Sequence, residues 1–475
     1  MSLTSNFIDK YFDIFFENNE LKLDDEKIRY IKPDAFKYCR NRKLRSLSLT
    51  VMGLYLCRPI KLNSMHSSLF EPLGEHLEEL NLSCLLECEE FNFLEHLRNL
   101  NKLNLQGSDF RIGKPVFKQA NNQLTHLDLS YCKLEISDKT MFNDLTCLKR
   151  LDLKGVELER SVLPDLFKEL KQLETLQMFK TKLTPTEDAF IYLKNLSELH
   201  FVGTEIPEQC SNIFEPLKRL EKLEIGKTET FNYEAFRQVN NLRELKLHHI
   251  ATLEINQHFF DNHPNLESLN LNSLNFRDLL LHPSELICNS KKYCIDLKAL
   301  ANLKSLKSLN LDDNNLMIDQ DGEMIFSLEN LEILSLCLYY QDELLERQLK
   351  LNETTFKRMK NLKILGLRGN RIKLEGNCFH HLTQLKELDI SFTTFESNNK
   401  EDYDIFSSLK QLEKINFDGI DPISWFQLYR LSELVNLKEL NLTIAEHDIE
   451  QYRAMLRSNK IPGELHPNPT VDDLC

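Results

Sequence analysis

The stretch FNDLTCLKRLDLKGVEL, Phe142 to Leu158, carries two hydrophobic periods in succession. Phe142, Leu145, Leu148 and Leu151 recur every three residues, and Leu151 and Leu153 then stand two apart. A helix would continue at threes and fours, and a strand would alternate from its start. The segment therefore predicts a turn or short helix that winds inward and passes straight into a short strand. Leu151 and Leu153 face a core, while Asp152 and Lys154 face away from it.

The same frame, Leu-x-x-Leu-x-Leu with Met, Ile or Phe allowed at the later positions, recurs along the chain. It begins at Leu44, Leu77, Leu100, Leu124, Leu148, Leu173, Leu196, Leu220, Leu242, Leu266, Leu306, Leu331, Leu362, Leu385, Leu412 and Leu437. These sixteen copies mostly lie 22 to 25 residues apart, with longer steps after Leu44, Leu266, Leu331 and Leu385. Phenylalanine stands six residues before many of them: Phe142, Phe167, Phe190, Phe214, Phe236, Phe260, Phe356, Phe379 and Phe406. One copy cannot bury its own leucines, whereas stacked copies bury them in a continuous column.

The unit resembles the leucine-rich repeat in its roughly 24-residue, phenylalanine-containing form. The resemblance implies an α/β fold, a leucine-rich-repeat solenoid in the form of a curved horseshoe. Its parallel concave sheet would hold about 16 short strands, and its convex side would be irregular or short-helical. Residues 44–444 are expected to form the solenoid and residues 1–43 a helical N-terminal cap, since Phe7, Ile8, Tyr11, Phe12, Phe15 and Phe16 follow Ser5 at helical spacing. Residues 445–462 are expected to form a C-terminal capping helix and 463–475 a disordered tail. Insertions fall near 282–298 and 338–353, and Trp425 is expected to pack in the core. In the family, the position three past the last leucine is usually Asn. Here it holds Asn314 and Asn370, but also Cys132, Thr181, Thr204, Thr228, Thr393, Val156, Ile250 and Ile420. Thr and Cys form fewer hydrogen bonds than Asn, so the sequence predicts an incomplete ladder.

Acidic residues outnumber basic ones, 73 against 59, leaving a net charge of −14. That balance argues against non-specific binding to nucleic acid or to anionic membranes. The start, MSLTSNFIDKYFDIFF, has no basic lead and is interrupted by Asp9, Lys10 and Asp13, so it does not read as a secretory signal. No run approaches the ~20 apolar residues of a membrane span. The 12 cysteines are scattered among the repeats, which favours reduced thiols and a cytoplasmic location.

Chemistry leaves little trace. GSDFRIGK, Gly107 to Lys114, has one residue too many for a phosphate loop, and Pro115 stands where Ser or Thr would bind magnesium. Cys84 and Cys88 have tolerable metal spacing but no second pair, and Cys288 and Cys294 read as reduced. Hydrolase, zinc-protease and dinucleotide motifs are absent. The sequence thus predicts no catalytic residues, no metal and no cofactor.

Binding remains. Between Leu124 and Ser273 the outward strand positions mix acids and bases with Tyr131, Phe179, His200, Val202, Lys246, His248 and His249, which form the candidate partner-binding patch. The leading expectation is a scaffold or adaptor whose protein partner sits on the concave face. SLTSNFIDKY, Ser2 to Tyr11, resembles an elongin-binding box through Ser2 and Leu3, with Phe7 and Tyr11 at its Cys and aliphatic places. AFKYCRNRKLRSLSL, Ala35 to Leu49, resembles the first repeats of zyg/zer-type substrate receptors of elongin-based cullin-RING ubiquitin ligases. These resemblances imply elongin and cullin partners docked through Leu3, Phe7 and Tyr11. A ligand-binding receptor ectodomain is the third reading.

Overall fold

The computed structural model describes residues 43–49, 69–83, 92–108, 123–132, 138–158, 163–179, 185–229, 231–250, 255–274, 295–314, 328–338, 348–397, 405–419 and 433–444. Shorter described pieces are 2–3, 16–23, 30–31, 34–39, 60–61, 85–86, 117, 135–136, 253 and 464–467. Two compact units, Met1–Asn241 and Leu242–Cys475, divide the chain.

In the first unit a parallel ladder runs through β1 (Glu20–Lys22), β2 (Ser46–Ser48), β3 (Glu79–Asn81), β4 (Lys102–Asn104), β5 (His126–Asp128), β6 (Arg150–Asp152), β7 (Thr175–Phe179), β8 (Glu198–Val202) and β9 (Lys222–Thr228). Each strand lies one repeat from the next, so frame positions align. Leu103, Leu127, Leu151, Leu176, Leu199 and Leu223 stand in one register row, all buried. The second unit repeats this plan with β10 (Glu244–Ile250), β11 (Ser268–Asn270), β12 (Ser308–Asn310), β13 (Ile333–Ser335), β14 (Ile364–Gly366), β15 (Glu387–Asp389), β16 (Lys414–Asn416), β17 (Glu439–Ile444) and β18 (Glu464–Pro467). All sixteen frames of the sequence thus become strands of a leucine-rich-repeat solenoid. On the other side of the repeats the described residues make turns, 3-10 segments such as Asp165–Phe167 and, among them, one four-residue helix, α1 (Tyr233–Phe236), capped by the Asn232 side chain.

Both ladders extend past the expected bounds. β1 falls inside the expected cap and pairs with β2, and on its other side Phe16–Glu17 pairs antiparallel with Glu20–Leu21. Asn18 and Asn19 between them take φ 53° and 65°, the left-handed pair that a two-residue hairpin requires. Phe16 is therefore in a strand and not at the end of a helix; residues 4–15 lie outside the described residues. β18 pairs with Asn441–Ile444, which corrects the expectation of disorder at 464–467. Trp425, the capping segment 445–462 and most of the two insertions also lie outside the described residues.

Behind the strands of each unit stand buried phenylalanines. All nine expected ones are buried, and Phe36, Phe70, Phe93 and Phe117 extend the row of the first unit towards the N-terminus. Neighbouring rings are in contact, with centroids 5.7 Å apart for Phe36–Phe70, 5.2 Å for Phe70–Phe93 and 6.2 Å for Phe190–Phe214.

Three polar ladders tie repeat to repeat. In the expected one, each side chain reaches the carbonyl of the preceding repeat's last core leucine. Ser108 donates to Leu82 O, Cys132 to Leu105 O, Asn314 to Leu271 O, Asn370 to Leu336 O and Thr393 to Leu367 O, at 2.7–3.3 Å. Val156 and Ile250 at this position are simply buried. A second ladder is made by the asparagine just before a frame's first leucine. Asn99, Asn195, Asn241, Asn330, Asn361 and Asn436 donate Nδ2–H to the carbonyls of Glu75, Lys171, Lys218, Lys304, Glu329 and Lys410 at 2.7–3.1 Å. This ladder supplements the incomplete first one. The third is ionic and uses the residue after the first leucine. Lys149 pairs with Glu174 (2.8 Å) in the first unit. In the second, Glu267 pairs with Arg243 and with Lys307 (2.7 Å), Lys363 with Glu332 (2.6 Å), and Glu413 with Lys386 (3.2 Å) and Lys438 (2.5 Å).

Candidate functional site

The strand face of each unit presents the residues that alternate with the buried leucines. In the first unit one row is Glu79, Lys102, His126, Arg150, Thr175, Glu198 and Lys222, and the next is Asn81, Asn104, Asp128, Asp152, Gln177, His200 and Glu224.

His200 stands between two carboxylates. Its Nδ1 is 2.6 Å from Glu224 Oε2 on β9, and its Nε2 is 2.6 Å from Glu198 Oε1 on its own strand. Burial opposes the charge on this ring, but the hydrogen bonds it donates to Glu224 and Glu198 outweigh burial and hold the imidazolium above the usual histidine value. Two strands earlier, Arg150 Nε donates to Asp152 Oδ2 at 2.9 Å, and burial still raises the Asp152 carboxyl above its ordinary range. Burial, helped by Lys102 and Arg150, lowers His126.

Phe179, Val202 and Gly226 share the next register row. The Lys227 ammonium lies 5.0 Å from the Phe179 ring centroid, a cation–π contact reaching across the intervening β8. Val202, in the middle of that row, is only 3% exposed. It is a core residue, which corrects its place in the expected partner-binding patch. Tyr131, by contrast, is 52% exposed. It has φ +58°, and its ring lies against Gly155 of the next repeat, where a Cβ would come within 2.8 Å of Tyr131 Cδ1.

Lys246, His248 and His249 belong to β10 of the second unit. Lys246 pairs with Glu244 at 3.0 Å, and the two histidine rings meet edge to face at 5.4 Å. The expected patch is therefore distributed over both units. The docking residues Phe7 and Tyr11 lie outside the described residues, and Leu3 is described only as backbone, paired with Ile31.

Further along the second unit lies a patch that the sequence reading missed. Phe392 is 41% exposed, with φ +53°, and lies on Gly419 of the next repeat as Tyr131 lies on Gly155. The Arg368 guanidinium stacks 4.2 Å from the Phe392 centroid. Ile333, 38% exposed, stands beside Ile364 in register. The legible signal was an aromatic two residues past the last core position with glycine at the same place one repeat later. Among the described residues no group of three His, Cys, Asp or Glu is placed to hold a metal ion. A cavity of about 190 Å³ beside Leu306, Leu328 and Arg358 is smaller than the ~300–1,000 Å³ of most small-molecule sites.

The repeat geometry defines a class. Residues 347–395 match the family model described as leucine rich repeat, and residues 65–197 and 160–279 match that of the BspA-type leucine rich repeat region. The chain is a leucine-rich repeat protein. No curated protein matches it. Among solved structures it is similar to the TLR13–ssRNA13 complex, with TM-score 0.52 and 19% identity over 93% of this chain. It spans 62% of the length of that chain. It is also similar to a leucine-rich repeat protein of Leptospira interrogans, with TM-score 0.52 and 21% identity, covering 83% of this chain and 97% of that one. These likenesses show the fold alone. The fold is one of protein-interaction scaffolds and receptors, which are typically non-catalytic.

Proposed function

We propose that the protein is a non-catalytic cytoplasmic scaffold or adaptor that holds a protein partner on the strand face of its repeats. One observation carries this reading. Among the described residues the exposed large apolar side chains are Tyr131, Ile191, Ile333, Phe392 and Val435, and three of the five, Tyr131, Ile333 and Phe392, stand on the strand face or at its margin. Exposed aromatic and aliphatic groups beside charged neighbours are the usual anchors of protein interfaces. The net charge of −14 favours a protein over a nucleic-acid ligand. For the location, Cys132 and Cys210 support a reducing compartment, since each thiol donates to a backbone carbonyl of the preceding repeat.

Photo-crosslinking tests the reading. Benzoylphenylalanine placed at 131, 333 and 392 in the full chain is expected to capture a partner, whereas the same group at 191 and 435 is not. Capture confined to 191 and 435 overturns the strand-face assignment.

A further inference from the structure

Two segments of the chain carry charge of one sign only. From Leu62 to Leu97 there are eight glutamates and no Lys or Arg. From Thr354 to Leu374 there are seven Lys and Arg and no Asp or Glu. The first segment belongs to the first unit and the second to the second unit. Within the repeat they occupy equivalent places. Phe70 and Phe356 are the buried phenylalanines that precede Leu77 and Leu362, and the residues between each phenylalanine and its leucine lie on the turn side, away from the strands.

In the first unit that turn exposes Glu71 and Glu75, and the turn of the next repeat exposes Glu95. In the second unit the matching turn exposes Lys357, Arg358 and Lys360, and the next repeat adds His380 and His381, whose ring centroids are 3.6 Å apart. Burial lowers the His381 pKa, and the nearby positive charges of His380, Lys357 and Lys360 lower it further. Several turn-side bases elsewhere are matched close at hand. Lys139 pairs with Asp165 (3.0 Å), Lys171 with Glu169 (3.1 Å), Lys218 with Glu215 (3.0 Å) and Lys410 with Glu433 (3.8 Å). Arg358 reaches Glu329 at 3.5 Å. Lys357 and Lys360 have no ion pair among the described residues, and neither has Glu75.

We infer that the protein associates with a second copy of itself, the Lys357 and Lys360 turn of one copy lying against the Glu71, Glu75 and Glu95 turns of the other. Charge complementarity selects this occupant. The two surfaces are exposed, equivalent in the repeat and opposite in sign, so each chain carries both halves of the contact. The net charge of −14 disfavours nucleic acid or anionic lipid as the occupant of the basic turn. Complementary charges steer the encounter and fix its register, and salt screens them. The contact uses the turn side and leaves the strand face open to the partner proposed above.

Analytical ultracentrifugation of the intact chain at micromolar concentration tests the inference. At about 20 mM salt the parent is expected to form dimers or larger species, and at about 500 mM its dissociation constant is expected to rise about tenfold or more. Lys357→Glu with Lys360→Glu is expected to weaken association about tenfold at low salt, and so is Glu75→Lys with Glu95→Lys, both variants melting like the parent. Mixing the two variants in equal amounts is expected to restore association, because each then meets its opposite charge on the other. A parent that stays monomeric at low salt overturns the inference, whether the two segments are solvated or meet within one chain. Association that either variant leaves unchanged also overturns it, as does a mixture of the two that stays monomeric.

Discussion

A neutral imidazole donates one hydrogen bond, yet both ring nitrogens of His200 face carboxylate oxygens at 2.6 Å. Only the imidazolium satisfies both. Its folded pKa lies above the ordinary value of about 6.5, so its stabilisation is fully present below that pH and is lost as pH rises through the folded value. An NMR titration of the ring should place His200 above the other histidines, and Glu224→Gln should lower it. A His200 titrating at the ordinary value would refute the clamp. Gly419 makes a second residue-scale case. With φ +65° and the Phe392 ring against it, Gly419→Val combines backbone strain with a collision. We expect a loss of more than about 1 kcal/mol, measured by chemical denaturation. Legibility differed among such residues. The exposure of Tyr131 followed from its frame position. The burial of Val202 did not, because its neighbours in the register row, Phe179 and Gly226, stand 23 and 24 residues away in sequence.

Within an element, the frame residues behave as the periodicity predicts. Leu151 and Leu153 are wholly buried, so Leu151→Ala should cost about 2–5 kcal/mol in thermal or denaturant unfolding. Repeats contact their neighbours, so hydrogen exchange should accelerate most in β5, β6 and β7. A uniform change across the first unit would contradict that. The second asparagine ladder invites a milder test. Asn361→Ala removes one hydrogen bond to Glu329 O at 3.1 Å, and the expected loss is about 0.5–1.5 kcal/mol. The strands were legible because period two follows period three within every copy. The phenylalanine column was legible only in part. Phe70, Phe93 and Phe117 stand seven residues before their leucines, and Phe36 eight, so a rule of six missed them. Local turn chemistry also escaped the reading at Asn18 and Asn19, where apolar spacing suggested a helix before a hairpin that two left-handed asparagines define.

Over the whole chain, acidity has a consequence for stability. Hydrogen bonds from lysine partners, joined by arginine at Glu267, hold the carboxyls of Glu267, Glu332 and Glu413 below the usual glutamate range. Their contribution is present above the unfolded pKa of about 4.3 and is lost as pH falls through the folded values. The melting temperature should therefore drop between about pH 5 and pH 3, and Glu267→Gln with Glu413→Gln should flatten that drop in calorimetry. An unchanged slope would assign acid sensitivity to other carboxyls. Redox state is the second whole-chain test. Protein made in a cytosol should give 12 reactive thiols by maleimide mass shift after denaturation without reductant. A shortfall of two or more would favour the extracellular reading.

The ionic row carries one more consequence, for how such a chain can lengthen. Along the second unit the residue after each frame's first leucine reads Arg243, Glu267, Lys307, Glu332, Lys363, Lys386, Glu413 and Lys438. Charge alternates from copy to copy except between Lys363 and Lys386. The effective period of the row is thus two repeats. Duplicating an adjacent pair of oppositely charged copies would preserve alternation, whereas duplicating a single copy would set like charges side by side on neighbouring repeats. Growth of this array by even numbers is electrostatically silent, and growth by odd numbers leaves a seam of the kind seen between Lys363 and Lys386.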